Sequence, residues 1–297
     1  MRGAEHYQRH HQRQRKLTRH NGRIRLLALD IDGTLIDGRK VMTVATADAV
    51  RHAVGRGVFV TVCTGRSLPS AEEAVRHLPL NVPYVLNNGA MIYDAPNRRA
   101  RYLRHLPNHL AMDSVRVFRS IGFHPIVYGP LPEVRYFYYD SFDPDNRAFI
   151  DYAAQNADRV HRVDDLCDYL GQDVTCITVA ERNERVRSRE SHIRTHLPNT
   201  SVVFEISPWD RCYSVITVMP FGVSKGDGLR RLAQLLGIDL TEVMAVGDNL
   251  NDLEMLDVAG LGVAMGNGPP EIRARADHVT ASVDDEGVAR AIERFIP

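Results

Sequence analysis

Leu26-Leu27-Ala28-Leu29-Asp30-Ile31-Asp32-Gly33-Thr34-Leu35 is the stretch of sequence that decides the fold. The four apolar residues before Asp30 predict a short strand buried on both faces, and Gly33 predicts a turn that ends it. A parallel α/β sheet binds its ligands beyond the carboxyl ends of its strands, so Asp30 and Asp32 are predicted to lie at a binding site. Two neighbouring carboxylates repel each other, and a bound cation would relieve the repulsion. Alone, this stretch is equally well interpreted as an acidic turn without a ligand.

Three further stretches also place polar residues at the end of a predicted strand or at the start of a predicted helix. Residues 58–63 form a β-branched run that ends in Thr64-Gly65-Arg66, and residues 243–246 form an apolar run that ends in Gly247-Asp248-Asn249-Leu250-Asn251-Asp252. Between these runs, Ser224-Lys225-Gly226 opens an amphipathic stretch with helical spacing. Carboxylates suit a hard cation such as Mg²⁺, whereas a threonine hydroxyl, open backbone N–H groups and a lysine suit a phosphoryl group.

These residues, in this order, resemble the haloacid dehalogenase superfamily of phosphohydrolases. Asp30-Ile31-Asp32-Gly33-Thr34-Leu35 is similar to the first motif of that superfamily, Thr64 to the second, Lys225 to the third, and Gly247-Asp248 with Asn251-Asp252 to the fourth. The details resemble the Cof-like branch, type IIB, in four places: Thr64-Gly65-Arg66, Asn88-Gly89-Ala90, residues 222–226 and residues 262–267. The resemblance runs from about Ile24 to the C-terminus.

The resemblance implies an α/β fold, in which a Rossmann-like core with a parallel sheet carries an inserted α+β cap of the C2 type. The alternation of strands and helices at both ends of the chain also predicts a parallel sheet, whereas the middle is richer in aromatic residues and arginine. We therefore expect four parts along the chain: a disordered basic tail (1–22), the first half of the core (23–106), the cap (107–217) and the second half of the core (218–297).

Hydrophobic periodicity gives the expected elements within these parts. In the core they are strands at 24–29, 58–63, 84–87, 243–246 and 261–264, a hairpin across 91–103, and helices at 46–56, 68–77, 225–236, 251–258 and before Pro297. In the cap they are strands at 136–139, 174–179, 201–206 and 212–218, and helices at 109–120, 145–154 and 184–196.

The resemblance implies the chemistry of the first motif. Asp30 would be the nucleophile that forms an aspartyl-phosphate, and Asp32 would protonate the leaving oxygen and then act as a base toward water. Asp30, the backbone carbonyl of Asp32 and Asp248 would hold Mg²⁺, which lets a carboxylate approach an anionic phosphate.

The other motifs would bind the phosphoryl group. Its oxygens would be held by the Thr64 hydroxyl, the Gly65 N–H, Lys225 and Asn251. Asp252 would orient Lys225 or a metal-bound water. Arg66 is interpreted either as a substrate contact or as an ion-pair partner.

The implied function is a Mg²⁺-dependent phosphatase that acts on small phosphomonoesters, such as sugar phosphates or phosphorylated cofactor precursors. Asp32 disfavours hydrolytic dehalogenation, because a leaving halide needs no proton. A phosphomutase of the same superfamily is the nearest alternative, and a catalytically idle binding or regulatory protein is another. A cap that closes over the strand ends leaves room only for a small phosphorylated metabolite. Candidate contacts on the cap are Pro208-Trp209-Asp210-Arg211 and the aromatic run at Tyr136.

The composition bounds the location of the protein. In 297 residues, 44% are apolar and 25% are charged, and no run of about 18 apolar residues exists, so no membrane association is expected. The first residues contain no signal-peptide core. Four scattered cysteines without a C-x-x-C pair argue against a zinc site or a disulfide framework and favour a cytoplasmic location. The oligomeric state is left open, a monomer included.

The N-terminal segment differs in composition from the rest of the chain. Residues 2–25 hold eight basic residues, one acid and few apolar residues, so the tail is expected to be disordered. It is interpreted as a solvated extension, with weak binding to an anionic surface as the alternative. Interleaved aromatic residues for base stacking are missing from it, so no specific nucleic-acid partner is expected.

Overall fold

The computed structural model of the protein describes residues 22–130, 132, 136–171, 173–207 and 210–297. Residues 1–21 of the predicted disordered tail and the Pro208-Trp209 part of the predicted cap turn lie outside the described residues. In the part of the chain that the structure describes, no helix combines the length and the apolar character needed to cross a membrane.

The first part of the core alternates strands and helices, as predicted from the periodicity. Its elements are β1 (Leu26–Leu29), α1 (Val44–Gly55), β2 (Phe59–Val62), α2 (Leu68–Val75), β3 (Tyr84–Leu86), β4 (Met91–Asp94) and β5 (Arg99–Leu103). Thr43 accepts the Thr46 N–H and so caps α1. The predicted hairpin is present as β4 and β5, and β3 joins it in a separate antiparallel sheet.

The middle of the chain forms the α+β part. Its elements are α3 (Asn108–Ser120), β6 (Ile126–Tyr128), β7 (Phe137–Tyr139), α4 (Arg147–Gln155), β8 (Val160–Arg162), α5 (Leu166–Tyr169), β9 (Cys176–Arg182), α6 (Asn183–His196), β10 (Thr200–Ile206) and β11 (Tyr213–Pro220). The sequence did not predict β6, α5 or β8; the two strands are defined by their pairing with neighbouring strands rather than by a pattern of their own. The predicted end of the cap at residue 217 falls inside β11, which continues because Pro220 still pairs with Thr200.

The last part of the chain returns to alternating elements. They are α7 (Lys225–Leu236), β12 (Val243–Gly247), α8 (Leu253–Val258), β13 (Leu261–Ala264), α9 (Pro270–Arg275), β14 (His278–Val279) and α10 (Gly287–Phe295). The helix predicted over 251–258 begins instead with a 3₁₀ turn, Leu250–Asp252, in which Asn249 and Asp252 form a capping box.

The core sheet is parallel and has the strand order β14-β13-β12-β1-β2. All four residues of β1 are fully buried between the two neighbouring strands and the layers that cover the sheet. Because β1, β2 and β12 are adjacent and parallel, their carboxyl ends lie side by side. Asp30, Thr64 and Asp248 follow these three ends, which brings the predicted site residues to one edge of the sheet.

The second large sheet has the order β10-β11-β9-β6-β7-β8 and is antiparallel except for the β7–β8 pair. Helices α3 and α6 pack on one face of this sheet. Its other face carries residues such as Ile126 and Cys176, which belong to the same apolar cluster as the parallel core. The predicted fold class, an α/β core with a parallel sheet and an inserted α+β region, is confirmed.

Candidate active site

Lys225 lies between two carboxylates at the carboxyl end of the core sheet. Its Nζ donates to Asp30 Oδ1 and to Asp252 Oδ1, both at 2.7 Å, and all three side chains are buried. Ser224 caps α7 by accepting the Asp227 N–H, and this fixes Lys225 as the first residue of the helix. Burial lowers the pKa of Lys225, but the two carboxylates outweigh burial and raise that pKa overall. The side chain therefore remains a buried ammonium group.

The Asp30 carboxylate is buried and is repelled by the neighbouring carboxylates. Its backbone continues β1 through a hydrogen bond to the Val246 carbonyl, and its side chain is nearly inaccessible to water. Burial and the Asp252 carboxylate raise the pKa of Asp30 well above its usual range, and Lys225 partly opposes them. An additional positive charge beside Asp30 would therefore stabilise its ionised form.

Asp252 organises the loop after β12. Its Oδ2 accepts the backbone N–H groups of Asp248 and Asn249, each at 3.0 Å, while its Oδ1 accepts from Lys225. Each oxygen of this carboxylate is thus bound by donors of the protein itself. Asp252 contacts Lys225, and its role in orienting Lys225 stays a prediction.

Asp248 faces the turn that follows Asp32. Thr34 Oγ1 donates to Asp248 Oδ1 at 3.2 Å, and Asn267 Nδ2 donates to Asp248 Oδ2 at 3.3 Å. Gly33 has a φ of +80°, and a Cβ at this position would collide with the Asp248 carboxylate. Glycine is therefore required both by the left-handed backbone and by the close approach. Burial, with the nearby Asp252 charge, raises the pKa of Asp248 to about 7.

The buried carboxylates form a group that could hold a metal ion. One carboxylate oxygen from each of Asp30, Asp248 and Asp252 lies within 4.8 Å of the others. Hard oxygen donors are the ligands that Mg²⁺ and Ca²⁺ prefer, so the donor set fits a divalent cation of this kind. The group includes Asp252, whereas the sequence-based set had the backbone carbonyl of Asp32 in its place. The raised pKa values of Asp30 and Asp248 have the direction that a bound cation would reverse.

Asp32 is held by Arg66 rather than left free. Arg66 Nε donates to Asp32 Oδ2 at 2.8 Å, and Arg66 Nη2 donates to Asp32 Oδ1 at 2.7 Å. Arg66 also donates to the backbone carbonyl and the hydroxyl of Ser70 in α2. Of the two interpretations of Arg66, the structure shows the ion pair, and the partner is the predicted acid–base residue. Both oxygens of Asp32 therefore accept hydrogen bonds from Arg66 in this conformation.

The residues predicted to bind phosphate are linked through Asn88. The Asn88 N–H donates to the Thr64 carbonyl at 2.9 Å, and Asn251 Nδ2 donates to Asn88 Oδ1 at 3.2 Å. A Cβ on Gly65 would lie 3.2 Å from the Asn88 amide group, so glycine leaves space between them. Asn88 itself has a φ of +50°, a left-handed conformation that asparagine tolerates. Sequence reasoning quoted this turn only as part of a motif and gave Asn88 no role.

Two residues of the six-stranded sheet reach the loop after β12. Glu205 Oε2 in β10 accepts from Asn251 Nδ2 at 2.5 Å. Asn249 Nδ2 donates to the Ile206 carbonyl at 2.7 Å, and Asn249 Oδ1 accepts the Ile206 N–H at 3.0 Å. Burial raises the pKa of Glu205 to about 7, while Lys225 lowers it. Sequence reasoning missed Glu205; the available signal was one acid in the otherwise β-prone run Ser201-Val202-Val203-Phe204-Glu205-Ile206.

The structure thus brings the predicted residues together in two groups. The carboxylates Asp30, Asp248 and Asp252 surround one ammonium group, and Thr64, Gly65 and Asn251 gather around Asn88. Such a site can bind an anion beside a divalent cation and can present the Asp30 carboxylate to that anion. The neighbouring thiol of Cys63 is fully buried, and burial raises its pKa, so this thiol remains protonated.

The chain resembles known proteins along most of its length. Residues 27–292 match the model of a family described as haloacid dehalogenase-like hydrolase. The 5-amino-6-(5-phospho-D-ribitylamino)uracil phosphatase YitU of Bacillus subtilis is 30% identical over 272 residues, which cover 91% of this chain and 97% of YitU. The phosphatase YcsE of the same organism, named for the same substrate, is 27% identical over 281 residues, which cover 92% of this chain and 96% of YcsE. A solved structure of a haloacid dehalogenase-like hydrolase from B. subtilis superposes with a TM-score of 0.76 at 25% identity, covering 91% of this chain and 99% of that one.

Proposed function

The chain belongs to the haloacid dehalogenase-like hydrolase family, and on that premise we propose that it is a Mg²⁺-dependent phosphatase that hydrolyses small phosphomonoesters through an aspartyl-phosphate at Asp30. The resemblance drawn from the sequence motifs is confirmed by this membership. The enzyme class is confirmed as well: the chain is a phosphoric monoester hydrolase, like the relatives that match it over nine-tenths of its length.

The observation that carries the proposal is the position of Lys225 between Asp30 and Asp252. The ammonium, held in place by Asp252, partly offsets the burial and repulsion that raise the pKa of Asp30, and so favours the ionised form that a nucleophile needs. Lys225 also supplies a positive charge for a phosphoryl oxygen once the substrate is present. The Thr64 hydroxyl, the Gly65 N–H and the Asn251 amide would bind the remaining oxygens.

Asp30, Asp248 and the backbone carbonyl of Asp32 would hold the metal ion. When bound, Mg²⁺ would reduce the repulsion between the carboxylates and a phosphate dianion. Asp248 is suited to this role because Thr34 and Asn267 orient its two oxygens.

The proposed reaction has two steps. In the first, an Asp30 oxygen bonds to phosphorus, the bond to the ester oxygen breaks, and that oxygen takes a proton from Asp32. In the second, Asp32 accepts a proton from water, the water oxygen bonds to phosphorus, and the Asp30–phosphorus bond breaks to release inorganic phosphate. Arg66 binds both oxygens of Asp32 in this conformation.

The proposed substrates are small because residues 107–217 would act as the cap. YitU is named for 5-amino-6-(5-phospho-D-ribitylamino)uracil, a small phosphomonoester, and we place the substrate of this chain in the same general class. The contacts of β10 with Asn249 and Asn251 support a cap that closes directly on the phosphate-binding loop.

A phosphate-release assay over a panel of small phosphomonoesters tests the proposal, with a phosphopeptide and an oligonucleotide beside them. We expect release of inorganic phosphate from several small substrates in Mg²⁺, and none above background from the Asp30→Asn variant. A tenfold preference in kcat/KM for either macromolecule would contradict the closed-cap proposal. Conversion of a substrate to an isomer without phosphate release would indicate a phosphomutase instead.

A further inference from the structure

We infer that Glu205 selects the substrate: its carboxylate accepts a hydrogen bond from a hydroxyl or N–H group next to the phosphoester, and it rejects substrates that carry a carboxylate there. The inference rests on the proposed function, because it concerns the same site. The inference places Glu205 of β10 in contact with the part of the substrate that leaves, in addition to the phosphoryl group.

The position of Glu205 in the sheet points its side chain toward the core. Glu205 pairs with Val215 of β11, and Val215 pairs with Ala180 of β9. Direct cross-strand partners lie on the same face, and the neighbours on that face, such as Val203 and Cys176, join the apolar cluster of the parallel core. Among the described strand residues on this face, Glu205 is the only carboxylate. A buried acid on a face whose other residues are mainly apolar or hydroxyl-bearing is costly unless it meets a donor.

Glu205 accepts a hydrogen bond from Asn251, the same amide group that is proposed to bind a phosphoryl oxygen of the substrate. The Asn251 amide group has two N–H bonds, and they are directed to Asn88 Oδ1 and to Glu205 Oε2. A phosphoryl oxygen bound by Asn251 has to replace one of these acceptors. Since Glu205 lies 2.5 Å from Asn251 Nδ2, the Glu205 carboxylate then lies beside the phosphoryl group.

The charge of Glu205 limits which substrate groups can lie between it and the phosphoryl group. A carboxylate and a phosphate dianion repel each other; Asp252 and Asp32 add negative charge near Glu205, and Lys225 offsets part of it. A donor on the substrate, placed between Glu205 and the phosphoryl oxygens, removes the unfavourable contact and satisfies the Glu205 oxygens. A substrate carboxylate in the same place would repel Glu205, and it could not donate a hydrogen bond to it.

The same face of the sheet carries other groups that suit a polyhydroxylated molecule. Tyr128 in β6 and Tyr152 in α4 have their hydroxyl oxygens 3.0 Å apart, and both rings pack beside Phe137. By the register of the strands, Tyr128 and Glu205 lie on the same face of this sheet. We therefore assign the substrate to the phosphomonoesters of polyols or aminopolyols rather than to the phosphocarboxylates.

Three small phosphomonoester probes separate this inference from the proposed function. Glycerol 3-phosphate has a hydroxyl next to the phosphoester, 2-phosphoglycolate has a carboxylate there, and p-nitrophenyl phosphate has neither. For the unmodified protein in Mg²⁺, we expect kcat/KM for glycerol 3-phosphate to exceed that for 2-phosphoglycolate at least about tenfold.

The variants are Glu205→Gln and, as a matched control on the same sheet's outer helix, Glu184→Gln, whose side chain is exposed. We expect Glu205→Gln to reduce the ratio of the two kcat/KM values by about tenfold, mainly through KM, whereas Glu184→Gln leaves the ratio within about twofold. If Glu205→Gln does not fold, as judged by its melting temperature, Glu205→Asp replaces it, since a shorter carboxylate should lower the ratio while keeping the charge.

The possible failures differ from one another. An unchanged ratio in a folded Glu205 variant, or equal rates of the unmodified protein on both aliphatic probes, would overturn the role of Glu205 while leaving the phosphatase intact. Absence of phosphate release from all three probes, p-nitrophenyl phosphate included, would overturn the proposed function and this inference with it.

Discussion

Lys225 Nζ lies 2.7 Å from Asp30 Oδ1, and both side chains are almost completely buried. The pair joins the first residue of α7 to the residue that directly follows β1, which are far apart in sequence. Removing one partner of a buried ion pair leaves an uncompensated charge in the interior, which costs more than an exposed pair contributes. This contact is therefore expected to matter for the folded state as well as for catalysis.

Lys225→Met should lower kcat/KM at least about a hundredfold, because it removes the positive charge that we propose to face the phosphoryl group. The free energy of unfolding should fall by about 3 kcal/mol, because Asp30 and Asp252 lose their shared partner. Lys225→Arg keeps the charge but introduces a forked, larger group, so at least about a tenfold loss should remain. Phosphate-release kinetics and urea unfolding measure the two effects, and near-normal kcat/KM in Lys225→Met would remove Lys225 from the site.

Chelation with EDTA should abolish phosphate release, and Mg²⁺ should restore it, because the carboxylates alone repel a phosphate dianion. Zn²⁺ should serve poorly, since the group contains neither histidine nor cysteine. Asp248→Asn should raise the Mg²⁺ concentration for half-maximal activity by at least about tenfold. Glu271→Gln on the exposed side of α9 is the control and should leave that concentration unchanged. Full activity after dialysis against EDTA would contradict a metal requirement.

The metal-free protein should lose stability as the pH rises from about 5 to about 8. The pKa of Asp248 is raised from 3.8 to about 7 in the folded state, so the folded protein binds a proton that the unfolded chain has already released. A group of this kind contributes its stabilisation at low pH and loses it as the pH passes the folded-state pKa. Asp30 shifts in the same direction.

Melting temperatures between these two pH values, measured in EDTA, check this expectation. Asp248→Asn should flatten the dependence, and Mg²⁺ should raise the melting temperature most at the upper pH, where the carboxylates are ionised. A melting temperature that rises with pH equally in both proteins would show that Asp248 is not the group responsible.

Asn249→Ala should raise KM by about tenfold with a smaller effect on kcat, since two hydrogen bonds to Ile206 hold the cap strand against the loop after β12. The same variant should show faster proteolysis in the cap. Asn249→Asp keeps the acceptor for the Ile206 N–H but loses the donor to the Ile206 carbonyl. Its KM should therefore lie between that of the unmodified protein and that of Asn249→Ala. Unchanged KM and unchanged proteolysis would show that this contact does not hold the cap closed.

The core of the site could be predicted because each of its residues follows a strand or begins a helix. Asp30, Thr64 and Asp248 are placed by apolar runs that the sequence shows directly, and a parallel sheet brings the ends of such runs together. Lys225 is placed by the amphipathic helix that it opens, whose bounds were predicted correctly.

The remaining contacts depend on pairings that a single sequence does not encode locally. Whether Glu205 points toward the core or away from it depends on the register of β10, and a slip of one residue would reverse its direction. Arg66 follows a glycine turn, and nothing in its neighbourhood in the sequence distinguishes Asp32 from another acid as its partner. The short strands β6 and β8 were missed for a related reason, because their pairing and not their composition defines them.

The nucleophilic role of Asp30 is tested most directly by trapping the phosphoryl group on the protein. The enzyme is mixed with a substrate in Mg²⁺, quenched in acid within one turnover, digested, and analysed by mass spectrometry, with Asp30→Asn and Asp32→Asn as parallel samples. With p-nitrophenyl phosphate as the substrate, whose leaving group needs no proton from Asp32, we expect one phosphoryl group on the peptide that contains Asp30, its absence in Asp30→Asn, and its accumulation in Asp32→Asn, in which hydrolysis lacks its base. Phosphate release by the unmodified protein with no trapped phosphoryl group on this peptide in any of the three samples, or phosphate release by Asp30→Asn within about tenfold of the unmodified rate, would contradict the proposed reaction.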